Sequence, residues 1–484
     1  MINFNRILIT FVTLVAAWVL PGCGGGGGGG GGGGSGATPD AATAATFSVG
    51  GAVSGLFGSG LVLQNNAGDD LTVSADGSFS FTTKLAAGAA YAVAIKSQPK
   101  LPTQTCTLAA ASGAMSATNV TSIAVSCALA LSPPKFAYVA NAADPSITVY
   151  SINPTTGVMT AIPPVGSEYQ FGGTTPVALA VDPSNKFMYV TDSVTAGTVR
   201  AFTLNPTTGK YTAVAGGTYS TGGQLPGFVA VDPTGKFVYA SNSGSASVAA
   251  FAINPATGAL TAVPGSPFAA GNVPKEVTVD PKGKFVYVTN SGSVANTATL
   301  SSYTINASTG ALTPLAGSPL AATSFASSLM VDPTGRVLTV TGSGTGFTSA
   351  LQSYAINPVS GALTILAPNG PGFATGASLT YDPSGRSAYV ANFAANTILG
   401  MNFNTTGLLA SVSSTPAATG TGPTQVVADP SGKFVYVANS GPGGAPTIGS
   451  ISGYSIDPLT GNLTALPGGP ISGGLVTRAI ALTR

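Results

Sequence analysis

Seven charged side chains fall in stretches of this sequence where chemistry could be done: Asp144, Glu168, Asp192, Arg200, Lys275, Glu276 and Arg478. A carboxylate can hold a water or a proton, and a guanidinium can stabilise developing negative charge, so Glu276 with Arg478 or Arg200 has the residue types for acid–base work. Glu168, Tyr169, Asp192, Lys275 and Gln425 have the types to hold a ligand, with Tyr169 and Phe171 as apolar surface. The bland alternative is that these are solvated charges, or ion pairs that help to close a ring. What is absent restricts the chemistry further. The 484 residues contain no histidine, which excludes Ser-His-Asp triads, histidine metal sites and histidine bases together. Any chemistry must use carboxylates, Lys, Arg or Tyr, and we expect neither a metal nor a cofactor.

The elements that must position these residues are repeated. Asp-Pro pairs begin at Asp182, Asp232, Asp280, Asp332, Asp382 and Asp429, a period of roughly 50 residues that marks a repeat array. A second turn, as in Asn254-Pro-Ala-Thr-Gly258, ends at Gly157, Gly209, Gly258, Gly310, Gly361, Gly407 and Gly461. Between them lie short apolar strands, among them a Tyr-Val strand at Tyr138, Tyr189, Tyr239, Tyr287, Leu338, Tyr389 and Tyr436. Four strands in about 50 residues make one propeller blade. The series starts midway through a unit at Lys135 and ends on one extra strand, Arg478 to Leu482. Seven blades are therefore expected, with the C-terminal strand completing the first and leaving no open sheet edge.

In both turns Pro presets φ, Gly accepts a left-handed backbone, and Asp or Asn bonds turn amides. That accounts for the repeated Asp residues without a metal site. Both turns join odd strands to even ones, so they share one uniform face. The loops of variable length, such as 191–198, 290–300 and 439–451, share the other. The candidate charges belong to that variable face, with Glu276 and Arg478 read as equivalent positions near the start of first strands.

Upstream, Arg6 precedes an apolar run from Ile7 to Leu20 and then Cys23. Residues 1–22 resemble a bacterial lipoprotein signal, which implies lipid on Cys23 and a position at the cell envelope, with the outer membrane favoured by Gly24. Residues 23–46, with glycine from Gly24 to Gly34, are too poor in apolar side chains to fold and form a tether reaching about 25 to 30 Å. Residues 47–130 alternate apolar and polar side chains in short runs broken by Asn66-Ala-Gly68 and Ala75-Asp-Gly77. They are expected to form a small β-sandwich similar to Ig-like or prealbumin-like modules. In an exported compartment Cys106 and Cys127 are expected to pair. The class is thus all-β, with the propeller occupying 131–484.

Phe237-Val-Tyr-Ala-Ser-Asn242, Phe285-Val-Tyr-Val-Thr-Asn290 and Phe434-Val-Tyr-Val-Ala-Asn439 carry a specific resemblance to the Tyr-Val-Thr-Asn repeats of bacterial surface propellers. They are similar too to the β-propeller lactonases, the fold family of 6-phosphogluconolactonase. The resemblance implies a lactone-opening activity with a His, an Arg and a Glu where first strands meet the channel. This chain has no His there, and offers Gln425, Glu276 and Arg478 instead. Two functions follow as expectations: a binding or scaffolding module whose partner is a protein, glycan or small molecule, or a lactonase-like hydrolase in which Glu276 activates water and Arg478 or Arg200 polarises the carbonyl. With 17 basic and 15 acidic residues, net +2, a nucleic-acid partner is not expected.

Overall fold

The computed structural model describes residues 45–100, 102–163, 174–192, 195–293, 297–322, 326–342, 351–366, 376–403, 409–411, 416–442 and 447–484. The signal, Cys23, the glycine tether, Glu168, Tyr169, Phe171 and Gly407 lie outside them.

Alternation builds the first unit. In Ala90–Ser97 the side chains of Tyr91 and Val93 turn inward while their neighbours face water, the period-two pattern of a half-buried strand. One sheet runs Gly77–Ser80, Val49–Ser54, Val120–Leu129, Gln104–Ala109, and the other Asp69–Val73, Leu61–Asn65, Ala90–Ser97, Ser112–Ala114. Val49, Leu61, Leu63, Ile123 and Val125 fill the core between them. Cys106 and Cys127 face each other on paired strands and form a disulfide.

The propeller has seven sheets. Blade 3 is representative, running outward as Pro226–Val231, Phe237–Asn242, Ser247–Ile253, Leu260–Ala262. The second strand of that blade is buried along its whole length, because neighbouring blades cover both of its faces. Blade 1 takes its inner strand from the far end of the chain: Thr477–Leu482 pairs antiparallel with Phe136–Asn141. Thr483 Oγ1 accepts bonds from the Lys135 and Phe136 amides, and Arg484 exchanges two bonds with the Asn185 side chain. The ring is closed by the C-terminal strand.

Each Asp-Pro turn is held by its own carboxylate. Asp232 Oδ1 accepts from the amides of Lys236 and Phe237, both at 2.7 Å, and Oδ2 from the amide and hydroxyl of Thr234. With Asp232 1% exposed, its lone pairs are committed to the turn.

The Tyr-Val strands join blades as well as filling them. Tyr239 donates to Gly310 O on the next blade at 3.1 Å, while Phe237 packs where a Gly310 side chain would stand. Gly310 also has φ +78°, so glycine is required there by both backbone and space. The same bond runs from Tyr138, Tyr189, Tyr287, Tyr389 and Tyr436. Blade 5 corrects the sequence register: Val337–Gly342 places Thr339, not Leu338, at the tyrosine position, as its pairing with Met330 and Ser353 shows. The hydroxyl of Tyr381, from the inner strand of blade 6, meets Thr339 Oγ1 at 2.6 Å. Removing one such bond by Tyr239→Phe strands a buried carbonyl, so we expect a loss of about 1 to 2 kcal/mol in denaturant unfolding, with the native sheet signal unchanged.

Candidate functional site

The inner strands begin at the variable face, and their first three residues surround the channel mouth. A cavity of about 370 Å³ opens there. The strand register decides what each position does. At the third position, side chains on four blades accept a bond from the next inner strand. Glu276 Oε2 accepts from Leu329 N–H at 3.3 Å, Ser328 Oγ from Leu379 N–H at 3.3 Å, Ser378 Oγ from Val426 N–H at 3.2 Å, and Gln425 Oε1 from Ile480 N–H at 2.7 Å. The mouth is stitched by side-chain acceptors.

Glu276 is one of these stitches, and its environment sets its protonation. It is 8% exposed, and desolvation pushes its carboxyl up to about 8, while hydrogen bonds from Ser328 and Leu329 pull the other way. Among the described residues no Lys or Arg nitrogen lies within ion-pairing distance to keep it ionised. At neutral pH Glu276 is mostly a neutral acid, better suited to accept an amide bond than to remove a proton from water.

The second position faces the opening. Lys275 and Arg478 are both exposed, line the same cavity, and have no ion-pair partner among the described residues. Two corrections follow. Arg478 is equivalent to Lys275, and the residue equivalent to Glu276 is Ala479, because Pro274 pairs with Asn290 as Thr477 pairs with Asn141. Arg200 and Asp192 do not join the cavity: Arg200 Nε lies 3.4 Å from Asp192 Oδ2, on the second and third strands of blade 2. Asp192 stands where other blades have the Asn of the Tyr-Val-Thr-Asn strand, and Arg200 where they have its partner, as in Asn290 Nδ2 to Ser301 Oγ at 2.9 Å. The ion pair is the charged version of a structural contact, and that alignment was legible in the repeats.

A larger cavity, about 730 Å³, lies on the turn face. It opens where Ser387 replaces the phenylalanine that packs on the turn glycine in most other blades, leaving Gly461 against Ser387 and Asn402. Its carboxylates Asp332 and Asp382 hold their own turns, and Arg336 lies 5.2 Å over the Phe57 ring of the sandwich. Asp457 holds its turn likewise, accepting the Leu459 and Thr460 amides, and Arg386 Nε donates to Ser384 Oγ. Among the described residues no cluster of three acidic or cysteine side chains is placed to hold a metal.

The profile of the family described as "Lactonase, 7-bladed beta-propeller" matches residues 100–222, 214–322 and 295–426, more than half of the chain. The chain belongs to this family. Among solved structures, this lactonase-family propeller is similar to a putative 6-phosphogluconolactonase from Bacteroides uniformis (15% identity, TM-score 0.61, covering 73% of this chain and 100% of that one). It is similar also to a putative 6-phosphogluconolactonase from Bacteroides fragilis (18%, 0.60, 72% and 98%) and to the periplasmic gluconolactonase of Pseudomonas aeruginosa (18%, 0.55, 72% and 99%). At these identities the likeness concerns the fold. No curated protein matches the chain.

Proposed function

We propose that this chain is a binding propeller of the cell envelope, tethered through lipid on Cys23 and the glycine segment, which takes a small organic anion into the channel mouth. The observation that carries the reading is the pair of exposed cations, Lys275 and Arg478, lining one cavity whose single acidic residue, Glu276, is buried and has its carboxyl pushed up by desolvation. A mouth with two positive charges and no compensating negative one attracts anions. The variable loops around it are the surface for any larger protein or glycan partner. Calorimetric titration of gluconate at low salt tests this. Lys275→Ala and Arg478→Ala should each weaken binding by roughly tenfold or more, the worth of one charge-assisted hydrogen bond. Equal affinity in the wild type and the double variant would refute the site.

A second reading, a lactonase-like hydrolase, is favoured by family membership and by one geometric fact: Glu276, Lys275 and Arg478 share one cavity. A carboxyl with a raised pKa beside cations is a recurrent feature of active sites, and a relative is named a gluconolactonase. Against it stand the committed Glu276 and the absence of histidine.

The envelope position rests on the lipoprotein-like signal. Cys23→Ser should move the protein from the membrane fraction to the soluble one, and retention in the pellet would refute the anchor.

A further inference from the structure

Going around the mouth, the lining changes character by blade. Blades 2 and 3 present Val177, Ala178, Leu225 and Phe228, and the one hydroxyl among them, Ser243, donates to Leu225 O at 2.7 Å. Blades 5, 6 and 7 present Ser327, Ser378, Thr424 and Gln425; Ser378 and Gln425 accept the Val426 and Ile480 amides through oxygen, which leaves the Ser378 O–H and the Gln425 NH2 as donors. Arg478 on blade 1 and Lys275 on blade 4 stand at the two borders between these arcs. A polyhydroxylated anion would meet matching polar groups on one side only, and would leave hydroxyls unpaired against the apolar side.

Backbone geometry bears on one residue of the apolar arc, Leu225. The residue before the inner strand is left-handed at Leu225 (φ 49°), Val273 (φ 54°) and Val476 (φ 53°), and in blade 7 at Gly422 (φ 66°). Their carbonyls accept the amides of Ser243, Ser291, Ala142 and Ser440, which explains the conformation. Glycine adopts it without strain, as blade 7 does, whereas leucine and valine there are uncommon and strained. Of these four residues Leu225 lines the cavity, so blade 3 places an aliphatic side chain in the apolar arc despite that strain.

We infer that the mouth is shaped for an amphipathic hydroxy acid, its carboxylate between Lys275 and Arg478, its hydroxyl toward the serine, threonine and glutamine arc, and its apolar tail against Val177, Leu225 and Phe228. The inference rests on the anion-binding reading and names the ligand class for it. It separates this chain from one built for a sugar acid.

The test is calorimetric titration of the purified chain with 3-hydroxybutanoate, 3-hydroxyhexanoate, 3-hydroxyoctanoate and gluconate. Each methylene buried against the apolar arc strengthens binding about fourfold, so affinity should climb along the series. 3-Hydroxyhexanoate should also exceed gluconate, which has the same carbon number and charge. Leu225→Gly removes part of the wall while suiting the left-handed backbone, so it should fold and flatten the series. A flat series in the wild type, or gluconate bound more tightly than 3-hydroxyhexanoate, overturns the inference and leaves the anion site standing. Failure of all four to bind overturns both. A full slope retained in Leu225→Gly overturns the assignment of the wall.

Discussion

Glu276→Gln should make the protein more stable at pH 7 and above, by about 3 kcal/mol near neutrality. Burial raises the folded-state pKa of Glu276 to about 8, while an unfolded glutamate titrates near its ordinary value of about 4.3. Between those values the native state holds a proton that the unfolded chain releases, so this group makes stability fall as pH rises. Below about pH 4 and above about pH 8 its contribution is flat. Glutamine keeps the oxygen that accepts the Leu329 amide and has nothing to titrate. Blade 7 already uses this solution, with Gln425 Oε1 accepting the Ile480 amide at 2.7 Å. Denaturant unfolding of both proteins from pH 4 to 9 should give curves that diverge with rising pH. Parallel curves would mean that Glu276 is ionised in the folded state and free to act as a base.

Deleting Thr477–Arg484 should abolish cooperative folding of the propeller. The segment supplies the inner strand of blade 1, with Ala479 and Ile480 buried at 3% and 1% exposure. It caps the Phe136 strand through Thr483 and reaches blade 2 through Arg484 and Asn185. Without it the inner edge of Phe136–Asn141 is unpaired, and exposed edges associate. Thermal unfolding should lose its sharp transition and size exclusion should show aggregates. Ile480→Ala, which keeps the strand and removes one core side chain, should cost about 2 to 5 kcal/mol and leave the transition cooperative. A monomeric truncation with the wild-type transition would mean that the ring does not depend on its closure.

The architecture was readable because its signals are local. The Asp-Pro and Asn-Pro turns each lie within a few consecutive residues, so counting them counts blades, and the surplus strand at Arg478 to Leu482 implied closure. Errors came where one residue of register mattered. The sequence pattern puts Leu338 at the tyrosine position because Thr339 breaks the Tyr-Val motif, and the hydroxyl that meets Thr339 comes instead from Tyr381 on another blade. Glu276 and Arg478 stand one residue apart in register, and a slip of one sends a side chain to the other side of the strand. Glu276 therefore stitches neighbouring strands while Lys275 and Arg478 face the opening. The division of the mouth into apolar and polar arcs was not readable in advance, because it is assembled from single residues about 50 apart whose meeting depends on the closed ring.

In the proposed reading the mouth binds anions while Glu276, held to the Leu329 amide, does not activate water. The most direct measurement is the rate of gluconolactone ring opening at pH 7 with wild type and with Glu276→Gln, each set against buffer alone. All three rates should be equal. Turnover by the wild type that disappears in Glu276→Gln would contradict that reading and make this chain a hydrolase.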